Sequence, residues 1–242
     1  MPTLFVSDLH LHPSRPAIIE CFLTFLQQQH GQTEALYILG DLFETWIGDD
    51  HPEPVYQPVK SALKAFSDAG TPVYLMHGNR DFLLSEQFAA ETGCSLLPDP
   101  TRIELYGTRT VLMHGDSLCS DDSEYQRLRS RLRDPAWQQD ILGRPVEQRL
   151  QMAQLARELS AQSKQGKDET IMDANQDAIR RAVEENHADL LIHGHTHRPG
   201  IHTFINNDKE ITRIVLGDWY ETGSVLAIDP RGWQLQTLNC GA

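Results

Sequence analysis

Leu4-Phe5-Val6-Ser7-Asp8-Leu9-His10 and Ala35-Leu36-Tyr37-Ile38-Leu39-Gly40-Asp41 follow one plan, a short apolar run that stops on a carboxylate. Short runs of Val, Ile, Leu, Phe or Tyr bounded by Gly, Asp or His read as buried strands. Leu4–Ser7, Ala35–Leu39, Pro72–Met76 and Thr110–Met113 are of this kind. Between them, Ala17–Gln28 sets Ile18, Ile19, Phe22, Phe25 and Leu26 at helical spacing, and Val59–Ala69 does so with Leu63 and Phe66. Strand alternating with helix implies an α/β layered architecture. Ile103–Tyr106, Leu190–Ile192, Arg213–Leu216, Ser224–Ile228 and Trp233–Leu238 add strands, several joined by short turns as in a second, more antiparallel sheet. The expected fold is a four-layer αββα sandwich, one domain over residues 1–242.

Residues 124–168 break the rhythm. They hold no strand-like run and two helix-forming stretches, Tyr125–Leu132 and Val146–Ser163, the second carrying Leu150, Met152, Leu155 and Leu159. Nine Lys and Arg stand there against six acids, a net +3 that leaves −16 for the rest of a chain of formal charge −13. A basic helical insertion in an acidic body reads as a cap over a site; the alternative is a solvated, salt-bridged face. The acidic total argues against nucleic-acid binding, which needs a basic footprint on phosphates.

Cys21, Cys94, Cys119 and Cys240 lie far apart with no Cys-x-x-Cys. That spacing gives neither a zinc ribbon nor a disulfide framework and points to a reducing compartment. The first residues lack the basic and apolar regions of a signal peptide, and no stretch approaches the about 20 apolar residues that span a bilayer. The expectation is a cytoplasmic chain, with peripheral membrane contact left open.

Five motifs stand at strand ends: Asp8-Leu9-His10, Gly40-Asp41-Leu42-Phe43-Glu44, Gly78-Asn79-Arg80-Asp81, His114-Gly115-Asp116 and Gly194-His195-Thr196-His197. Each follows an apolar run, so each falls on the loop leaving a strand's carboxyl end, where open α/β sheets place ligands. Asp and Asn oxygens with His nitrogens are the mixed donor set that borderline divalent metals accept. The absence of thiolates speaks against structural zinc. Single motifs of this kind arise by chance; the ordered set does not.

That set resembles the calcineurin-like metallophosphoesterase superfamily, whose signature runs D-x-H, G-D-x-x-[DE], G-N-H-[DE], H and G-H-x-H. The resemblance implies a two-metal site in which Asp8, His10 and His197 hold one ion, Asn79, His114 and His195 the other, and Asp41 bridges them. Two divalent cations would outweigh the Asp8 and Asp41 charges and favour hydroxide and phosphate. One position departs from the signature: its histidine is Arg80 here. Arg cannot deliver a proton to a leaving alkoxide, but it pairs with phosphate oxygens. This favours a pyrophosphate, whose leaving phosphate needs no proton, unless Arg80 merely pairs with Asp81.

Tyr37–Asp50 (with Trp46-Ile47-Gly48-Asp49-Asp50), His77–Leu83, Ile192–Pro199 and Ile171-Met172-Asp173-x-Asn175 are similar to the UDP-2,3-diacylglucosamine diphosphatase family. That narrower resemblance implies manganese-dependent hydrolysis of UDP-2,3-diacylglucosamine to UMP and 2,3-diacylglucosamine 1-phosphate (lipid X), by metal-bound hydroxide attack on the α phosphorus. It places the enzyme in lipid A biosynthesis, peripheral on the cytoplasmic face of the inner membrane, with two Mn²⁺ per chain, an anionic membrane surface as partner and no obligate protein partner evident. Asp41, Asn79, Arg80 and His195 become the catalytic set. Asn79, Arg80, Asp122, Ser160, Lys164, Lys167 and His195 become substrate contacts, although Lys164 stands where the family usually has Asn. Leu150, Leu155 and Leu159 then line an acyl chamber, or else are ordinary core. Asp116 and Asp121 are expected to cap the next helix, and His77 and His193 to be buried hydrogen-bonded supports. Another nucleotide pyrophosphatase or phosphodiesterase, or a non-catalytic scaffold of the same fold, are the competing readings.

Overall fold

A computed structural model describes residues 1–51, 53–164 and 173–241, with the side chains of 161–164 left out. Parallel strands β1 (Thr3–Val6), β2 (Ala35–Leu39), β3 (Val73–Met76) and β4 (Ser95–Leu97) are linked through helices α1 (Pro16–Gln29), α2 (Gln57–Asp68) and α3 (Glu86–Thr92). The hairpin β10 (Thr222–Asp229) and β11 (Gly232–Asn239) joins antiparallel at β1, giving the order β11-β10-β1-β2-β3-β4. The second sheet, ordered β5-β6-β7-β9-β8, contains β5 (Thr101–Leu105), β6 (Thr108–Met113), β7 (Leu190–His193), β8 (Gly200–Asn206) and β9 (Lys209–Val215). Its centre is parallel and only its edges are antiparallel, more parallel than the short turns suggested.

The layers follow from which face of each strand is apolar. Phe5, Leu39, Met76, Leu112, Ile192, Ile214 and Leu226 fill the space between the sheets. Ile18, Phe22, Phe25 and Leu26 of α1 pack with Val59, Leu63 and Phe66 of α2 on the outer side of the first sheet. Ala178, Ile179, Ala182 and Val183 of α7 (Gln176–Glu185) cover the second sheet. The result is the αββα sandwich expected.

Between β6 and β7 come α4 (Ser123–Leu132), α5 (Pro135–Leu142) and α6 (Val146–Lys164). Several basic residues of this segment face the body rather than water. Arg149 is buried, donating to Ile47 O at 2.6 Å and pairing with Asp50. Arg133 donates to Gly78 O at 3.0 Å, and Arg129 pairs with Asp116 at 2.9 Å. A hydrogen-bonded ion pair inside a protein is high-stakes, since losing one partner strands the other charge. These contacts tie the insertion to the loops that carry Asn79 and His114.

The cysteine expectation needs correction. Cys21 and Cys240 form a disulfide, and Cys94 and Cys119 are free and buried. Spacing could not reveal the pair. Cys21 lies on α1, which packs against β10, and β10 pairs with the strand that ends just before Cys240.

Candidate active site

The carboxyl ends of β1, β2, β3, β6 and β7 converge, and each continues into one of the five motifs. Asp8, His10, Asp41, His195 and His197 all have φ between 48° and 68°, the left-handed region that non-glycine residues seldom occupy. Such strain persists where surrounding structure over-determines it, and functional sites are where it collects. Gly78 and Gly194 allow the loops to approach. A Cβ at Gly78 would overlap the Asp41 carboxylate and amide, and one at Gly194 would overlap Ser7 and Asp8.

All seven residues expected as ligands come together. Ligand atoms of Asp8, His10 and His197 lie within 4.8 Å of one another, as do those of Asp41, His114 and His195. Asp41 Oδ2 is 3.8 Å from both His10 Nε2 and His114 Nε2, so it stands between the two groups. Asn79 Oδ1 is 3.1 Å from His114 Nε2, on the second group's side.

The donor chemistry fits a cation in each group. His114 Nδ1 donates to Leu39 O at 2.9 Å, which turns its Nε2 toward Asn79 Oδ1 and Asp41 as the ring position that would ligate a cation. His10 Nδ1 faces Glu44 at 3.3 Å and His197 Nδ1 faces Asp218 at 3.3 Å. With both Nδ1 atoms turned to carboxylates, the two Nε2 atoms point toward each other across 3.3 Å, as the free ring positions of the group. A carboxylate behind the imidazole is the usual support for a metal-ligating histidine. Asp8 Oδ1 is buried beside the two rings, 3.3 Å from His197 Nε2. Burial, aided by the charges of Asp81 and Asp8, pushes Asp41 up to about 6 even against His114 and His10. Against burial, Asp218 and Asp8 hold His197 up to about 10. Negative charge is thus packed densely enough to draw divalent cations.

Arg80 is half-buried at the same place. Its backbone N–H donates to Asp41 Oδ1 at 2.8 Å, and its Nε is buried without a partner. The alternative of an Arg80–Asp81 pair fails. Both Asp81 oxygens are taken by backbone N–H groups, Gly78 at 2.8 Å and Asp41 at 3.3 Å on one, Leu42 at 2.7 Å and Phe43 at 3.5 Å on the other. Among the described residues Arg80 makes no ion pair. Asp81 instead locks the Asp41 and Asn79 loops together.

The remaining expected contacts divide. Asp122, rather than Asp116 or Asp121, caps α4, accepting from Tyr125 N at 3.1 Å. Asp116 holds the Tyr125 hydroxyl and Arg129, and Asp121 accepts from the Asn175 amide at 2.9 Å. Both lie too far before the helix for an N-cap, whose oxygen must reach the second or third helical N–H. Ser160 is half-buried on α6. Lys167 and the Lys164 side chain lie outside the described residues, as do Ile171 and Met172. Leu150, Leu155 and Leu159 are 42, 57 and 56% exposed, so they are not core. His193 is buried, and Arg213 donates to its Nε2 at 2.9 Å; His77 bonds Leu84 O at 2.8 Å.

Three neighbours of the site, Tyr125, Asp218 and Tyr220, escaped the sequence reading as functional residues, and Glu44 enters it only as the end of its motif, without a role. Glu44 faces His10 and is held by Arg15 at 3.1 Å. Tyr125 stacks on His195 with centroids 5.9 Å apart. Asp218 and Tyr220 flank His197 and His10. A signal for the last two existed: Leu216-Gly217-Asp218 after β9 repeats the plan of Leu39-Gly40-Asp41.

Residues 1–199 match the calcineurin-like phosphoesterase family. A UDP-2,3-diacylglucosamine hydrolase of Stenotrophomonas maltophilia is 51% identical over 245 residues, covering 98% of this chain and 99% of that protein. Another from Vibrio parahaemolyticus is 48% identical over 237 residues, 98% of each chain. A solved archaeal phosphodiesterase, 13% identical over 98% of this chain and 100% of its own, shares the fold at a TM-score of 0.51.

Proposed function

The chain belongs to the calcineurin-like phosphoesterase family and, through relatives half identical to it from end to end, to its UDP-2,3-diacylglucosamine hydrolase branch; on that premise we propose that it hydrolyses the pyrophosphate of UDP-2,3-diacylglucosamine to UMP and 2,3-diacylglucosamine 1-phosphate. Arg80 carries this reading. A permanently charged guanidinium with a buried, unpartnered Nε stands beside two ligand groups joined at Asp41, where a phosphomonoesterase would want a proton donor.

Asp8, His10 and His197 would hold one divalent cation and Asn79, His114 and His195 the other, with Asp41 between. Manganese fits this oxygen and nitrogen donor set. When bound, the pair supplies Lewis acidity and water activated near neutral pH. The protein's own part is positioning. Asp41 accepts the Arg80 N–H, so the residue that meets phosphate oxygens is fixed to the carboxylate between the metal positions. Charge developing on a phosphorus oxygen then finds a donor already oriented, which lowers the barrier without reorganisation. Attack falls on the α phosphorus, so the leaving group is a sugar phosphate that needs no proton. By the family resemblance Ser160, Lys164 and Lys167 would contact the substrate, as would Asp122 at the start of α4.

The exposed leucines of α6 suit acyl chains, and the exposed Arg127 and Arg131 of the segment suit phosphates or anionic head groups. A protein working on such a lipid acts at a membrane surface, and no helix among the described residues is long and apolar enough to cross one. By the family resemblance we further propose that it works on the cytoplasmic face of the inner membrane, in lipid A biosynthesis. The test is turnover with Mn²⁺ of UDP-2,3-diacylglucosamine beside UDP-sugars lacking acyl chains, in oxygen-18 water. Label in UMP and preference for the acylated substrate are expected; label only in the sugar phosphate, or no preference, overturns the assignment.

A further inference from the structure

Gly217-Asp218-Trp219-Tyr220 links β9 to β10. Three consecutive residues of this loop each touch a different member of one ligand group. Asp218 Oδ2 faces His197 Nδ1 at 3.3 Å, while its Oδ1 accepts the Tyr220 N–H at 3.1 Å. The Trp219 N–H donates to Asp8 O at 3.0 Å. The Tyr220 ring lies parallel to that of His10, 7° apart with centroids at 5.1 Å, and its centroid is 5.6 Å from that of His197.

The loop is itself held firmly. The Trp219 indole is fully buried against the edges of Phe22 and Phe25, and its Nε1–H donates to Ser224 O at 3.1 Å. The Gly217 N–H donates to Ser224 Oγ at 3.0 Å. Arg15 sits 4.5 Å from the Tyr220 centroid and also pairs with Glu44, which faces the other ring nitrogen of His10. The second group is built differently: His114 is oriented by Leu39 O, and its nearest neighbours are Asn79 and Asp41.

We propose that residues 217–220 form a clamp that sets the cation affinity of the Asp8, His10 and His197 group separately from that of its neighbour, with Asp218 and Tyr220 as positioning residues. The inference rests on the divalent-metal reading above. Asp218 keeps the Nδ1 proton of His197 in place, so Nε2 presents one lone pair in one direction. Tyr220 closes the face of His10 and stops the ring from rotating away. Loss of either leaves the ligands present but free to turn, which weakens one ion and spares the other.

The test is metal binding, independent of turnover. Chains stripped with a chelator are titrated with Mn²⁺ by calorimetry and followed by electron paramagnetic resonance. Wild type should take up two ions with a spin-coupled signal. Asp218→Asn and Tyr220→Leu should each keep one ion at native affinity while the other weakens about 10–100-fold, leaving an uncoupled signal at one equivalent. Tyr220→Phe, which retains the ring, should behave as wild type. Tyr220 is 42% exposed, so its replacement provides a folded variant if Asp218→Asn does not fold. Two ions bound by either variant with unchanged affinity, or both ions weakened equally, overturns the clamp. A wild-type chain that takes up no divalent ion refutes the metal reading and the clamp together.

Discussion

Asp81→Asn is nearly isosteric and isolates what one buried carboxylate does for the site. The native side chain accepts Gly78 and Asp41 N–H on one oxygen and Leu42 and Phe43 N–H on the other. An amide has one acceptor oxygen. Whichever way it turns, a short bond of 2.7 or 2.8 Å is lost and a backbone donor confronts an NH₂ group. A hydrogen bond to a charged acceptor contributes about 1.5–3 kcal/mol, and stranding its donor adds to the loss, so about 3 kcal/mol is expected. For a chain of this size that corresponds to a fall in melting temperature of about 6–12 °C. The same change releases the Asp41 loop from the Asn79 loop, and misplacement by about 1 Å costs about 100-fold in rate. Thermal unfolding of the metal-free protein reads the first effect, and kcat/KM with Mn²⁺ the second. A melting temperature within about 2 °C of wild type together with near-native activity would refute the role assigned to Asp81.

Arg80→Lys should lower kcat/KM by about 100-fold or more at unchanged metal content, because an ammonium cannot reproduce the oriented fork; a parallel loss of metal by elemental analysis would contradict this. Asp99, whose side chain is 7% exposed, is pushed up to about 6 by burial and by Asp116, from 3.8. Folding therefore opposes its ionisation, and the chain loses stability as pH rises from about 4 through about 6, reaching about 3 kcal/mol above that window. Asp99→Asn should accordingly raise the melting temperature at pH 8 and leave it unchanged at pH 4; equal shifts at both would count against it. Thiol titration of unreduced, denatured protein should find two reactive groups, Cys94 and Cys119, and four after reduction. Four without reductant would mean that Cys21 and Cys240 are not joined.

Strand-end chemistry was legible because each motif is local: an apolar run of fixed period, then a polar ligand where the strand stops. The five loops carrying all seven candidate ligands were read this way. What stayed hidden depends on the third dimension. Three-residue β4 and exposed β8 have too little apolar pattern to register, and the partners of Asp81 lie 38–40 residues earlier or three earlier along the chain. Asp218 carried the same strand-Gly-Asp plan but follows the last ligand motif by some twenty residues, with no histidine beside it to draw notice. The Cys21–Cys240 pair requires knowing that the first helix and the last strand are neighbours. For the insertion, charge counting left open whether its arginines face water or body, because composition says nothing about direction.

Five candidate ligands sit on left-handed backbone that glycine adopts without strain and that costs Asp and His more. Each therefore works against the fold that carries it, and replacing any one with glycine should relax its loop while removing a donor. Robustness and chemistry pull these positions in opposite directions. A copy of this chain relieved of its reaction, and selected only to stay folded, would shed its ligands long before its core.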